Sequence, residues 1–463
     1  MADVCAQRWI ICLDLQFKMK NKSLLIFILL FIHAAFWFIL KPAPPFSDDK
    51  VYALNAETMV EGHYHLLESP KNHRLTVIAP TALFIKLFGE SPFIVSLWTL
   101  LCSLITIICL FLFLSKFASI EIAFTASFLI ACNNLQIIYS AALFPDVIVA
   151  LFAFLVIERV YISRINNTAK IRIVIEATIF FYIGFLAKEI ILIILPFILF
   201  LFIADLRKKI NIAFWTKFFI TLISGGIILN GIYFITTGDM NFIYHCINKN
   251  HNEVFALFSN DELIKRFTYQ PLIFLFQGVG YSILLLFFLS YFNYNIRIKS
   301  HYNEHRERIG INKLTSKMFY EQSPLIKFFV TYFLILLATY WWLPTSFNHL
   351  SPILLFGFER MWMMLLIPLA IIAAYFIVSA AEEEGRSKRL MTITVIFVLA
   401  ALISVYLSSY FRALMFLIIA ISSIIAIILK QKTNLNKQII LAVLLIPLFL
   451  IALYFTWQNS NWR

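Results

Sequence analysis

Two adjacent carboxylates, Asp48 and Asp49, stand where the first strongly apolar segment of the chain has just ended. Ser47 or Asp48 is suited to begin a short helix that reaches Gly62, and the dipole of such a helix favours acidic residues at its N-terminus. A carboxylate at a membrane surface can also take the proton of a reacting hydroxyl as a general base. This stretch alone leaves helix capping and proton transfer equally open.

Other ionisable residues also stand beside long apolar segments. They are His73 with Arg74, Asp146 after a proline, Lys188 with Glu189 at a turn, and Arg360 before a Pro-containing segment. Each has an ordinary interpretation: Asp146 can cap its own helix, Glu189 can neutralise Lys188, and His73 and Arg74 can be surface residues. The alternative is that the cations bind an anion such as phosphate, because fixed cations act strongly in a dehydrated site and are costly in lipid without a use.

The composition defines the class of protein that must position these residues. Hydrophobic residues make up 61% of the 463, with 49 Phe, and the mean hydropathy is +0.86. Such a chain cannot enclose its apolar side chains in one soluble core. The sequence therefore predicts an all-α integral membrane protein.

The charges indicate membrane topology rather than a nucleic-acid partner. The net charge is +13, but Lys and Arg occur in short clusters between apolar runs, as expected when basic loops stay in the cytoplasm. The basic loop 295–323 can also contact anionic lipid headgroups. The six scattered cysteines include no CxxC pair, so neither a metal site nor a disulfide framework is expected.

Apolar runs long enough to cross a bilayer predict about thirteen transmembrane helices. Alternate connections then face opposite sides, and the candidate residues fall on the outer one. The predicted organisation is a cytoplasmic N-terminus (1–22, with Met19 a possible start) and one membrane domain (23–463), with outer loops at 41–91 and 237–270. The spans are predicted near 23–40, 92–115, 118–138, 145–163, 172–187, 189–204, 213–236, 271–293, 325–343, 361–381, 390–409, 411–429 and 438–457.

Short amphipathic helices are expected in the first outer loop, with Val51, Leu54 and Met59 of the first one facing the membrane. Near the other end of the chain, the sequence "YWWLPTSF" from Tyr340 to Phe347 is typical of an interfacial aromatic belt. Stacking on a sugar is the less favoured interpretation of these rings.

The first outer loop carries a pattern that resembles a known family. Its residues are Asp48, Asp49, Tyr52, Ala56, Met59 and Gly62, followed by His73, Lys86 and Gly89, then "ALFPDVIVALF", "GFLAKEIILIILP" and "FERMWMMLLIPLAIIAAY". This order resembles the C-type polytopic glycosyltransferases, in particular the branch of the protein O-mannosyltransferases and the lipid A aminoarabinose transferase. The loop lacks the Pro-Pro pair of that branch, and Val51 stands where the aminoarabinose transferase has an arginine.

The resemblance implies the C-type fold and a sugar donor linked to polyprenyl phosphate, which is used at the periplasmic face of a bacterial inner membrane. The acceptor would be a lipid, a glycan or a protein, and the transfer would invert the anomeric configuration. Asp48 would be the catalytic base. Lys188, Arg360, His73 and Arg74 would bind the donor phosphate, and Asp49, Tyr52, Asp146 and Glu189 would contact the acceptor or orient the site.

No cofactor and no metal requirement are expected, so activity should persist in EDTA. Two other classes remain open: a transporter or flippase of lipid-linked saccharides, and a scaffold without activity. A transporter usually places ionisable residues at mid-membrane on inverted repeats, and the sequence shows no such repeat. A scaffold would tolerate the loss of the outward acids.

Overall fold

The computed structural model describes residues 22–45, 47–69, 71–247, 281–294, 324–342, 362–383, 387–407, 409–432 and 437–461. Within these ranges the regular structure is helical and contains no strand. This confirms the predicted all-α class.

The described residues up to Thr237 form eleven α-helices and one 3₁₀ helix. They are α1 (Lys22–Leu40), α2 (Asp48–Val60), α3 (Leu75–Phe88), α4 (Pro92–Val95), α5 (Leu97–Phe117), α6 (Ile120–Ala131), α7 (Asn134–Ser140), α8 (Pro145–Ile165), α9 (Ile171–Ala187), the 3₁₀ helix (Glu189–Ile194), α10 (Leu195–Lys208) and α11 (Ile212–Thr237).

Beyond Thr237, the described residues add a short helical segment at 242–247 and six longer helices. They are α12 (Tyr281–Tyr294), α13 (Pro324–Trp342), α14 (Met363–Glu382), α15 (Lys388–Tyr406), α16 (Tyr410–Lys432) and α17 (Lys437–Asn461).

Each predicted span overlaps a helix. Among the described residues, nine helices are long and apolar enough to cross a membrane, or ten if the bent pair α6–α7 counts as one span. The other predicted spans fall on α8, which carries Asp146, Glu158, Arg159 and Arg164, on α9, and on the short α12.

The centre of the molecule is formed by α8 and α14. In α14, 89% of the most apolar window is buried inside the protein, against 11% in α11. Helix α14 packs against α6, α8, α13 and α17, while α11 turns a row of isoleucines outward. Because lipid is as apolar as these side chains, an exposed face of this kind is a lipid-facing surface.

Two sharp corners shape the outer side. The chain leaves α7 at Ser140 and begins α8 at Pro145, whose missing N–H suits the first turn of a helix. At the second corner α9 ends at Ala187, Lys188 is extended with φ −168°, and the 3₁₀ helix begins at Glu189. These corners bring the side chains of Asp146 and Lys188 into contact.

A layer of two helices, α2 and α3, covers these corners. The predicted first-loop helix is present as α2. Its buried residues are Asp49, Tyr52, Ala53 and Ala56, whereas Leu54 is 48% exposed. The polar side faces inward because it meets the cations and carboxylates described below.

Candidate active site

Asp48 is the first residue of α2 and forms an ion pair with a lysine of the loop before α3. Its Oδ1 lies 2.6 Å from Nζ of Lys71, and the two side chains are 24% and 32% exposed. A partly exposed ion pair of this kind contributes little to stability. The Asp48 carboxylate is therefore partly accessible and lies beside a partly exposed cation.

Its neighbour Asp49 has a different role. Asp49 is 3% exposed, and its Oδ1 accepts the backbone N–H of Ser47 at 2.8 Å and that of Lys50 at 3.1 Å. Ser47, at the N-cap position, makes no capping bond with its own side chain. Asp49 rather than Ser47 or Asp48 thus satisfies the start of α2.

A buried arginine links the first loop to the turn after α9. The Arg74 guanidinium donates to the Tyr52 hydroxyl and to both carboxylate oxygens of Glu189 at 3.2 Å. Arg74 is 5% exposed, and within the described part of the chain its Nε has no hydrogen-bond partner. A planar guanidinium is suited to hold a phenol and a carboxylate at fixed angles.

The second buried ion pair joins the two corners of the fold. Lys188 Nζ lies 2.7 Å from Oδ1 of Asp146, and both side chains are almost fully buried, at 7% and 2% exposure. The other oxygen of Asp146, Oδ2, is buried without a hydrogen-bond partner among the described residues. Such an oxygen is an acceptor ready for a donor group of a ligand.

These pairs act on one another electrostatically and form one cluster. Burial raises the pKa of Tyr52 to about 12, although the charge of Arg74 lowers it; Asp48, Asp146 and Glu189 raise it further. Burial also opposes the charge on Arg74, but Glu189 and Tyr52 hold its pKa above the ordinary value. Arg74 therefore stays charged and Tyr52 stays a neutral phenol.

His73 is buried in the same layer. It is 1% exposed, and its carbonyl accepts the Tyr233 hydroxyl of α11 at 3.3 Å. Burial lowers the pKa of His73, with Glu189 opposing this shift. The imidazole is thus neutral near pH 7.

The structure brings together most of the residues that the sequence singles out. The cluster contains Asp48, Tyr52, His73, Arg74, Asp146, Lys188 and Glu189, while Asp49 binds its own backbone. Arg360 lies outside the described residues. The surface interpretation of His73 and Arg74 is wrong, since both are buried.

The structure also corrects the interpretations of Asp146 as a helix cap and of Glu189 as the main partner of Lys188. The N-cap position of α8 is Phe144, which makes no side-chain cap, and Asp146 pairs with Lys188 instead of capping its helix. Lys188 thus forms its ion pair with Asp146, and Glu189 forms its own with Arg74. Residues adjacent in sequence point to different partners because Lys188 is extended where the helix ends.

Two residues near the cluster, Lys71 and Tyr340, are not predicted as site residues from the sequence. Lys71 stands three residues before Arg74, and only the packing of this loop on α2 brings it to Asp48. Tyr340 is fully buried, stacks on Trp362 with ring centroids 5.9 Å apart, and lies within the electrostatic reach of Asp146. The predicted aromatic belt is therefore wrong for Tyr340.

Comparison with known proteins places this geometry on a known fold. No protein-family model matches the chain, and no curated protein matches its sequence. Two solved structures match over 94% of this chain and 77% of theirs: ArnT from Cupriavidus metallidurans in the apo state, with 12% identity and a TM-score of 0.55, and the same protein bound to undecaprenyl phosphate, with 13% identity and a TM-score of 0.56. The chain shares the fold of ArnT.

The match with ArnT confirms the predicted C-type fold, although the low identity carries the comparison no further than the fold. Coverage of nearly the whole chain shows that the likeness extends well beyond the first 200 residues, which carry most of the sequence pattern. The undecaprenyl phosphate belongs to the ArnT structure.

One group of side chains could hold a metal ion among the residues described. Ligand atoms of Glu68, Asp239 and His245 lie within 4.8 Å of one another, where the first outer loop meets the chain after α11. His245 Nδ1 lies 2.8 Å from Asp239 Oδ2, so these two side chains already satisfy each other. The group is separate from the cluster around Arg74.

Proposed function

We propose that this chain is a membrane glycosyltransferase, which moves a sugar from a polyprenyl-phosphate donor to a cell-envelope acceptor. The ArnT fold and the outward cluster of paired charges support this together. The sugar would be of hexosyl or pentosyl type and the acceptor a lipid such as lipid A, a glycan or a protein. The reaction would take place at the periplasmic face of a bacterial inner membrane.

Asp48 is the proposed base, and its accessibility carries the proposal. The acceptor hydroxyl would lose its proton to Asp48 while its oxygen attacks the anomeric carbon, opposite the departing phosphate. This geometry inverts the configuration at that carbon. Asp146 and Glu189 are less suited to the task because each is engaged by a buried cation.

The proposed phosphate ligands are Lys188, Arg360, His73 and Arg74. Negative charge grows on the leaving phosphate in the transition state, and preorganised cations stabilise it. The described cluster balances three carboxylates with three cations, namely Asp48, Asp146 and Glu189 with Lys71, Arg74 and Lys188. A phosphate that enters the site would therefore compete with a carboxylate for each cation. Lys71 is the most exposed of the three cations, so a phosphate would displace its carboxylate most easily.

The remaining residues would bind or orient the acceptor and the sugar. Oδ2 of Asp146 is free to accept a hydroxyl of the sugar. Tyr52 and Glu189 hold Arg74 in a single orientation, and Asp49 fixes the start of the helix on which Asp48 stands. The proposed reaction uses no metal and no cofactor.

The test is transfer by the purified protein in nanodiscs, supplied with radiolabelled undecaprenyl-phosphate sugars and an envelope lipid extract. Asp48→Asn should lower transfer by about 10²-fold or more. The matched control is Glu61→Gln, which removes an exposed acid just beyond the other end of α2 and should leave the rate unchanged. Equal transfer by Asp48→Asn and wild type would remove Asp48 as the base.

Two further arms separate the alternatives. Transfer in EDTA should equal transfer without it, and a loss would point to a metal, with Glu68, Asp239 and His245 the first residues to test. A lipid-linked saccharide that crosses the bilayer without being transferred would favour a flippase.

A further inference from the structure

The third predicted span contains a break, and lipid cannot hydrogen-bond the backbone groups that the break leaves without partners. Helix α6 ends at Ala131, α7 begins at Asn134, and their axes differ by 56°. Helix ends leave carbonyl groups without intrahelical partners. Inside a membrane these groups must be satisfied by the protein itself.

Helix α1 supplies two of the missing donors. His33 Nδ1–H donates to the Ala131 carbonyl at 2.9 Å, and Trp37 Nε1–H donates to the Ser140 carbonyl at 3.1 Å. A spacing of four residues places both side chains on one face of α1. Both are buried, at 0% and 2% exposure. Helix α1 is therefore hydrogen-bonded to the end of α6 and to the end of α7.

Helix α5 completes the arrangement. Its Ser103 hydroxyl donates to His33 Nε2 at 2.8 Å and accepts the Gln136 amide at 2.7 Å. Thr99 adds a second donor to the Ser140 carbonyl at 3.0 Å. These six side chains, here the His33 network, are His33, Trp37, Thr99, Ser103, Gln136 and Ser140.

The fastened segment leads directly into the Asp146 corner. Between Ser140 and Asp146 the chain is almost wholly buried, and the N–H of Phe144 bonds to the Ala142 carbonyl at 2.8 Å. The Phe144 ring packs edge-on against Tyr139 of α7, with ring centroids 5.7 Å apart. A shift of α7 would therefore move Asp146 relative to Lys188.

We propose that His33 and Trp37 are positioning residues, which hold the α6–α7 break and thereby set Asp146 against Lys188. The part of this proposal that concerns catalysis rests on the proposed function. Apolar packing alone would not require a histidine and a tryptophan at these positions, whereas buried carbonyl groups at helix ends need hydrogen-bond donors.

The test compares three variants in nanodiscs. His33→Leu removes both hydrogen bonds. His33→Asn places an amide nitrogen close to the position of Nδ1 and keeps the bond to Ala131. The matched control is Phe31→Leu, on the 65% exposed side of the same helix.

Two readouts are measured on each variant, namely the exchange of backbone amides in peptides covering 134–146 and the kcat and KM of sugar transfer. His33→Leu should speed the exchange and lower kcat by about 10²-fold with little change in KM, because a misplacement of about 1 Å is enough for such a loss. His33→Asn should fall between His33→Leu and wild type, and Phe31→Leu should match wild type.

The two readouts make failures distinguishable. Unchanged exchange in His33→Leu would overturn the proposal whatever the activity. Faster exchange with an undiminished kcat would overturn the link to catalysis. If the wild type transfers none of the sugars, the proposed function fails, and the exchange result still decides whether His33 holds the corner.

Discussion

Two adjacent acids of the same charge have opposite environments in this protein. Asp49 is buried and accepts backbone N–H groups, whereas Asp48 is partly exposed and forms an ion pair with Lys71. The difference comes from the 100° rotation between successive residues of a helix. A base must reach its substrate, so exposure, not proximity to the helix dipole, separates the two.

The buried pair between Asp146 and Lys188 should be important for stability as a pair. Lys188→Met leaves a buried carboxylate with neither oxygen paired among the described residues, which costs about 3–5 kcal/mol. The double variant Asp146→Asn, Lys188→Met removes both charges and should recover most of this loss. The thermal midpoint in detergent checks the order, and a double variant less stable than Lys188→Met would contradict it.

His73 should make stability depend on pH. Its folded-state pKa lies below the ordinary value of 6.5 because burial disfavours the imidazolium, so protons bind the unfolded chain more readily. The contribution of His73 is then complete above pH 6.5 and falls as the pH drops below it. The thermal midpoint of wild type should fall more between pH 7.5 and 5 than that of His73→Gln; equal slopes would show that His73 is not the cause.

The residues that form the charged cluster could be predicted from the sequence, but their pairings could not. The order of the motifs indicates Asp48, Arg74, Asp146, Lys188 and Glu189. Which carboxylate meets which cation depends on the extended Lys188 and on the seating of α2 and α3, which are tertiary features without a local signal. Lys71 escaped notice for the same reason.

At the scale of the elements, the hydropathy of the chain predicts each helix of the described residues that is long and apolar enough to cross a membrane, but it does not predict the bend between α6 and α7. Apolar runs give the existence of helices because lipid requires about 20 apolar residues for each crossing. The break at residues 132–133 lies inside such a run, and Asn133 caps the second piece through its Oδ1. An asparagine in a span has other uses, so the break became recognisable only with His33 and Trp37 beside it.

The packing of α9 against α11 gives a test at this scale. A Cβ at Gly225 would overlap the ring of Tyr182, whereas at Gly231 it would meet nothing within 4 Å. Gly225→Ala should destabilise the protein by about 1–3 kcal/mol through overpacking, while Gly231→Ala should be neutral or stabilise by up to about 1 kcal/mol. Thermal midpoints of the two variants decide this, and equal midpoints would mean that the Tyr182 ring moves aside freely.

At the scale of the whole molecule, the fold is conserved in shape more than in sequence. ArnT and this chain share 12–13% identity over nearly the whole of this chain. Membrane burial relaxes the demands on individual residues, since many apolar side chains fill the space between spans equally well.

The orientation of the molecule in the membrane is predicted from its charges and can be measured directly. Lys208 lies in a basic loop expected in the cytoplasm, and Glu61 lies in the first loop on the opposite side; both are exposed. In a chain freed of its six cysteines, a membrane-impermeant maleimide should label Glu61→Cys in intact cells and Lys208→Cys only after lysis. The reverse pattern would place Asp48 in the cytoplasm, where the donor would not need to be flipped before transfer, and the periplasmic reaction would have to be abandoned.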